Sequence, residues 1–340
     1  MDEQGFVGER VRIARELAKL SQTALSRKVG ISGPAISQIE ADAVRPRRET
    51  VRALGTALEV PERFFTLPFV DTHDGFFRSL RKTAVAARRH ARAVAHIAHD
   101  IALSTAGTDY EMAPSSVPFH SLSLEVSRAD VEMTAARVRA EWGMPPGPIA
   151  DVVGLLEHHG VVVIRLPLSA AAVDAFSLPF SDHPVVVLGA DKNDRGRSRF
   201  DAAHELGHLV MHGEQVWGIK EVEVQAHAFA AAFLMPAEEI RGELPSYADW
   251  ALLFALKERW QVSLAALLRR SRDLGVMSPQ AYLSAVKTAS ARGWRRTEPV
   301  PLGAPERPRV VPRILAQPDG NRLRELLPGS VLDEILESID

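Results

Sequence analysis

The stretch Ser198-Arg199-Phe200-Asp201-Ala202-Ala203-His204-Glu205-Leu206-Gly207-His208-Leu209-Val210-Met211-His212 decides how this chain is read. It is apolar around its histidines and lacks helix breakers apart from Gly207, which predicts a buried helix. His204 and His208, four residues apart, project their imidazoles from successive turns toward one point, where a tetrahedral zinc ion fits. Glu205, beside the first of them, is placed to serve as a general base. A buried helix seldom carries three ionisable groups without using them. His212 continues the ladder, roughly 12 Å along the axis from His204 by helix rise, so the three histidines cannot share one metal. A capping or packing role is expected for it.

An open catalytic zinc site takes three protein ligands. The chain has no cysteine, so disulfides are excluded and the third ligand must be His, Asp or Glu. Downstream, Glu221 to Pro236 reads as a helix with an apolar face, on which Glu223 and His227 share a side. Glu223 is the chosen ligand. His227 either orients a ligand histidine from behind or binds zinc itself in place of Glu223.

Outward from these two helices the chain is mixed. Val161-Val162-Val163-Ile164 and Val185-Val186-Val187-Leu188 read as buried strands, and Val173 to Ser177 alternates like a third. Amphipathic helices are expected from Ser127 to Trp142 and up to His159, with Gly160 just past the end of the latter. A chain of 340 residues has room for two or three domains. The expected class is mainly α with a small β-sheet (α+β). Residues 5–66 form a five-helix head, 67–124 a helical linker region, 125–245 the mixed domain and 246–296 a helical C-terminal subdomain. Residues 297–340 form a Pro/Arg-rich, extended tail closed by a short helix.

Within the head, Ser21 can cap a helix running to Gly30, and Gly30-Ile31-Ser32 makes a tight turn. Ser32 caps a second helix, with Pro34 in its tolerant first turn. Ile36 and Ile39 then pack inward on Leu25 and Val29, leaving Gly33, Ser37 and Gln38 outside. Short side chains let such a helix approach a groove closely, and a glutamine can pair bidentately with adenine. Helices from Arg10 to Lys19 and Glu49 to Leu58, closed by Val60 to Phe65, complete the head.

Net charge is −2, so any footprint for phosphates must be local. Arg45, Arg47, Arg48 and Arg52 form one basic cluster. Arg78, Arg81, Lys82, Arg88, Arg89 and Arg92 form another, equally well read as a solvated helix face. The histidine pairs His96/His99 and His158/His159 have no glutamate at metal spacing and are read as surface residues. No basic segment leads into an apolar one at the N-terminus, and no apolar run reaches a membrane span. The expected location is cytoplasmic.

The head resembles the phage-repressor-like (XRE/Cro) helix-turn-helix family. The resemblance rests on Leu20-Ser21-Gln22, the Val-Gly-Ile-Ser turn, Ile36-Ser37-Gln38-Ile39-Glu40 and Arg45-Pro46. It implies that Gln22, Ser32, Gly33, Ser37 and Gln38 lie near double-stranded operator DNA, with Arg45 and Arg48 on phosphates. It also makes a homodimer on a palindromic site the default. The mixed domain resembles the ImmA/IrrE zinc metallopeptidases, on Arg199-Phe200, Ala203 to His208, Glu223, Ala226, Phe229-Ala230 and Leu234-Met235-Pro236. That resemblance implies His204, His208 and Glu223 as zinc ligands and Glu205 as catalytic base. His227 stands where the family has Asn or Asp. Phe77 to Lys82 and Trp260 to Leu267 look like members that carry a repressor-type head. The implied function is a regulator that cleaves a protein substrate, plausibly a repressor, in a stress or mobile-element response. The other reading is a transcription factor whose zinc domain senses or oligomerises without turnover.

Overall fold

The structure is a computed structural model and describes residues 5–72, 85–108, 111–169, 173–191, 193–212, 219–318 and 320–338. The chain is mainly helical with one three-stranded sheet, an α+β fold. It divides into two compact units. The first comprises Met1–Ser116, Leu156–Asp191 and Pro308–Asp340, and the second Val117–Leu155 and Lys192–Arg307.

In the first unit the head is built from α1 (Gly8–Leu17), α2 (Gln22–Val29), α3 (Gly33–Glu40) and α4 (Arg48–Leu58). The fifth expected helix is a single 3-10 turn, Glu62–Thr66. Gly30 supplies the left-handed residue between α2 and α3, at φ 77°, a conformation open to glycine at little steric cost. Ser21 Oγ accepts from Ala24 N and Ser32 Oγ from Ala35 N, so both helices start on side-chain caps. Below them, Arg15 grips Glu40 through Nε (2.6 Å) and a terminal nitrogen (2.9 Å), out of water.

Helix α5 (Val85–Leu103) is the hub of this unit. It packs on α1, on strands β1 (Val162–Leu166) and β3 (Val185–Gly189), and on α14 (Val310–Leu315) and α16 (Gly329–Glu337). The sheet runs β1-β3-β2, with β1 and β3 parallel and β2 (Ala175–Leu178) antiparallel on the edge. All five residues of β1 are buried, as a near-continuous apolar run requires when both faces are covered. Arg10 of α1 donates to both carboxylate oxygens of Asp100 on α5 (2.5 and 2.8 Å) and to the carbonyls of Leu67 and Pro68. His90 on α5 contacts the Leu17 carbonyl through Nδ1 and Glu334 of α16 through Nε2.

Three sequence expectations change here. His96 and His99 are not surface residues: they are 3% and 1% exposed. His96 stacks on Phe69 and meets Phe180 edge-on, while His99 stacks on Phe180 and contacts Asp182 at 2.7 Å. Arg92 leaves the basic surface cluster for the same reason, since it is buried and donates to the Thr72 carbonyl. A helix surrounded by partners buries its polar positions along with its apolar ones. Arg78, Arg81 and Lys82, with the rest of Phe77 to Lys82, lie outside the described residues. The tail is extended only in part: residues 297–309 carry no helix, whereas α14 and α15 (Gly320–Leu326) precede the expected terminal helix α16, and Val311, Leu332 and Ile335 enter the same apolar core as the head and the sheet. No helix among the described residues is long and apolar enough to cross a membrane.

The second unit holds α6 (Arg128–Glu141), α8 (Arg195–Met211), α9 (Lys220–Leu234), α10 (Ala237–Ile240), α11 (Trp250–Trp260), α12 (Leu264–Asp273) and α13 (Pro279–Ala291). Helix α7 (Val152–His158) carries the chain from this unit back to the first. Ser127 and Asp130 close a reciprocal capping box at the start of α6. The end of α9 is held by two buried arginines. Arg139 donates to the Phe233 carbonyl (2.9 Å), and Arg270 to the Met235 carbonyl (2.9 Å) and the Glu132 carboxylate. Arg199 in α8 pairs with buried Glu306, whose Oε2 also accepts the backbone N–H groups of Val152 and Val153. Helix α9 therefore lies against α8 with its C-terminal end held by Arg139 and Arg270.

Candidate functional site

Helix α8 starts on Asp194, whose side chain accepts from Arg197 N, and runs unbroken through the histidines. Its apolar residues Ala202, Ala203, Leu206 and Val210 are fully buried. Glycine at 207 has a packing reason. A Cβ there would stand 3.0 Å from Cδ1 and 3.2 Å from Cβ of Phe229 on α9. Without it the two helices approach closely, which brings Glu223 of α9 to the histidines of α8.

His204 Nε2 and His208 Nε2 are 3.1 Å apart. Glu223 places one carboxylate oxygen 3.4 Å from His204 Nε2 and the other 3.8 Å from His208 Nε2. Both histidines are buried and Glu223 is half-buried. These three are the cluster of metal-capable side chains among the described residues, with ligand atoms all within 4.8 Å of one another. Donors bound to tetrahedral zinc at roughly 2.0–2.1 Å stand about 3.3 Å apart. Two imidazole nitrogens and a carboxylate at these separations fit such an ion with only small adjustments. Glu205 is buried at 3% exposure on the same helix.

His227 does not join this cluster. It is exposed, with its ring centroid 5.7 Å from that of His204 and 4.7 Å from that of Phe200. His204 Nδ1 is buried without a hydrogen-bond partner among the described residues, so His227 does not hold it there. The contact behind His208 comes from a residue that the sequence reading assigned to capping or packing. His212 is indeed the C-cap of α8, and its Nδ1 also lies 3.1 Å from His208 Nδ1. Its Nε2 lies 2.9 Å from Gln225 Oε1. Burial holds the His212 pKa below the ordinary imidazole value, against the opposing pull of Gln225. Gln225 carried no sequence signal beyond being an amide on an apolar helix.

On the head, Ser32, Ser37 and Gln38 are exposed along the start of α3, with Gly33 half-buried among them. Arg45, Arg47, Arg48 and Arg52 are exposed beyond its end and along α4. Gln22 is half-buried, and its amide nitrogen donates to Glu40 Oε2 at 2.7 Å. The buried Arg15–Glu40 pair thus fixes the orientation of that amide. Leu25, Ile36 and Ile39 pack inward as the sequence predicts.

A family model for a helix-turn-helix domain matches residues 7–63, and one for the IrrE N-terminal-like domain, a peptidase family, matches residues 156–272. The chain joins these two domains in one polypeptide. The IrrE-like match takes in all three strands and α8 to α12, hence His204, Glu205, His208, His212, Glu223 and Gln225. The helix-turn-helix match takes in α1 to α4 with Gln22, Ser32, Gly33, Ser37, Gln38, Arg45 and Arg48. No curated protein matches the chain.

Proposed function

We propose that this protein is a DNA-binding transcriptional regulator whose IrrE-like domain is a zinc-dependent peptidase acting on a protein substrate, a repressor. The observation that carries the reading is the convergence of His204, His208 and Glu223 from two helices, with Glu205 buried beside the first. These three residues would hold zinc, which when bound would supply Lewis-acid polarisation of a scissile carbonyl. Glu205 takes a proton from the attacking water on its carboxylate and passes it to the leaving amine. The helical surroundings of α8 limit bulk water around these groups, which strengthens every charge interaction among them. On the head, Ser37 and Gln38 meet base edges in the major groove, Gln22, Ser32 and Gly33 lie near the DNA, and Arg45 and Arg48 hold phosphates. Two copies bind a palindromic operator as a homodimer.

The test is Glu205→Gln. The expected result is retained zinc with loss of cleavage of the protein substrate that the native chain cleaves. Unchanged cleavage overturns the peptidase role of Glu205. Lost cleavage with operator control intact would separate the two activities. Intact control by a native protein that cleaves nothing would favour the sensor or oligomerisation reading of the zinc domain.

A further inference from the structure

We propose that His212 and Gln225 are positioning residues that hold His208 in the Nδ1–H tautomer and so leave its Nε2 lone pair directed at the site shared with His204 and Glu223. The Gln225 side-chain nitrogen lies 2.9 Å from the Ser123 carbonyl and 3.3 Å from the Leu124 carbonyl. Carbonyl oxygens only accept, so the NH2 end of the amide must face them and Oε1 must face the other way. Oε1 lies 2.9 Å from His212 Nε2 and can only accept in its turn, so that nitrogen carries the proton. A neutral imidazole has one N–H, which leaves His212 Nδ1 as an acceptor. The atom 3.1 Å away is His208 Nδ1, which must then be the donor. Its protonation leaves Nε2 unprotonated, facing His204 Nε2 and Glu223.

Each link is anchored. His212 follows His208 by one turn on the same face of α8, and its own N–H donates to the His208 carbonyl. The segment that anchors Gln225 is tied to the same helix end, because His120 N donates to the Val210 carbonyl and Leu122 N to the Met211 carbonyl. The tautomer is thus set by two backbone carbonyls three side chains away. This mattered little to the sequence reading, since His212 lies too far along the helix to be a ligand. It matters to the site, because Nε2–H imidazole, the form with the wrong nitrogen free, cannot ligate from Nε2.

The proposal rests on the metal reading for its purpose but not for its first test. Full-length protein labelled with 15N-histidine and stripped of metal should show, in long-range proton–nitrogen correlation spectra, His208 protonated on Nδ1 and His212 on Nε2. Signals are assigned through His208→Gln and His212→Asn. His208 protonated on Nε2 overturns the proposal outright. In a second measurement, zinc affinity is read by competition with a chromophoric chelator. His212→Leu should weaken it roughly 10- to 100-fold, and His212→Asn, whose side-chain oxygen can accept from His208 Nδ1, should restore most of the loss. Equal affinity in the native protein and His212→Leu, with both folded by circular dichroism, also overturns it. A native chain that shows the expected tautomers and takes up no zinc refutes the metal reading while supporting the hydrogen-bond chain.

Discussion

Gly207 of α8 lies directly against the ring of Phe229 of α9, close enough that a Cβ on the glycine would sit 3.0 Å from the ring edge. Phe229 is fully buried and stacks on Phe233, with ring centroids 5.7 Å apart, so it has little room to yield. The spacing of α8 and α9 is set at this contact, and with it the reach of Glu223. Gly207→Val should therefore lower unfolding stability by about 1–3 kcal/mol and reduce zinc affinity in the same protein. Gly207→Ala should cost less, because a gain in helix propensity of up to about 1 kcal/mol offsets the crowding. Urea denaturation beside chelator competition measures both, and a valine variant with native zinc affinity would show that the contact does not position Glu223.

Glu223 is the proposed ligand that depends on tertiary packing. Metal analysis of purified protein should find about one zinc per chain, falling to background in Glu223→Ala. His227→Asn should keep the metal, since His227 lies outside the cluster. Loss of zinc from the His227 variant instead would reinstate it as a ligand.

Glu306 neutralises Arg199, which is 1% exposed, and accepts two backbone N–H groups from the start of α7. Glu306→Ala strands a buried guanidinium, and stability should fall by about 3–5 kcal/mol. The double variant Arg199→Met/Glu306→Leu should recover part of that. Recovery stays incomplete because Val152 and Val153 lose their acceptor. Chemical denaturation of the three proteins is the measurement, and full recovery would assign the whole effect to the charge pair.

His96 should make the first unit acid-sensitive. Burial, with the cationic Arg92 and Arg10 nearby, pushes its pKa well below the ordinary 6.5. Its Nε2 is buried without a partner among the described residues, and it packs between Phe69 and Phe180. Below pH 6.5 the unfolded chain takes up a proton that the folded chain refuses, so stability is full above that pH and declines as pH falls toward the depressed value. The slope from this one group approaches about 1.4 kcal/mol per pH unit. His99, also depressed by burial but opposed by Asp182, adds to it in the same direction. His96→Phe should reduce the slope between pH 6.5 and 5 in denaturation series, and an unaltered slope would place the titrating group elsewhere.

Operator binding should separate the two kinds of head residue. Gln38→Ala should cost about 1–3 kcal/mol at one base position and relax specificity there. Arg45→Ala should weaken all sequences alike and reduce the salt slope by about 0.9. Binding isotherms on operator and scrambled DNA over a range of salt distinguish them.

What the sequence determined alone is what repeats over one turn or one bend of the chain. Histidines four apart must share a helix face, a glycine between two serine caps must turn, and β-branched runs between breakers must form strands. Those local rules placed His204, Glu205, His208, α2, α3 and all three strands, and they assigned His212 to the helix end. Tertiary structure decided which faces are covered and by what. Glu223 reaches the histidines because Gly207 admits Phe229, and His212 becomes a link between His208 and Gln225 because a segment some ninety residues earlier offers two carbonyls. His96, His99 and Arg92 are buried because α5 is surrounded, and the tail folds because the same core has apolar surface left to cover. Burial is a property of what lies opposite, and a residue's neighbours in the chain do not carry that information.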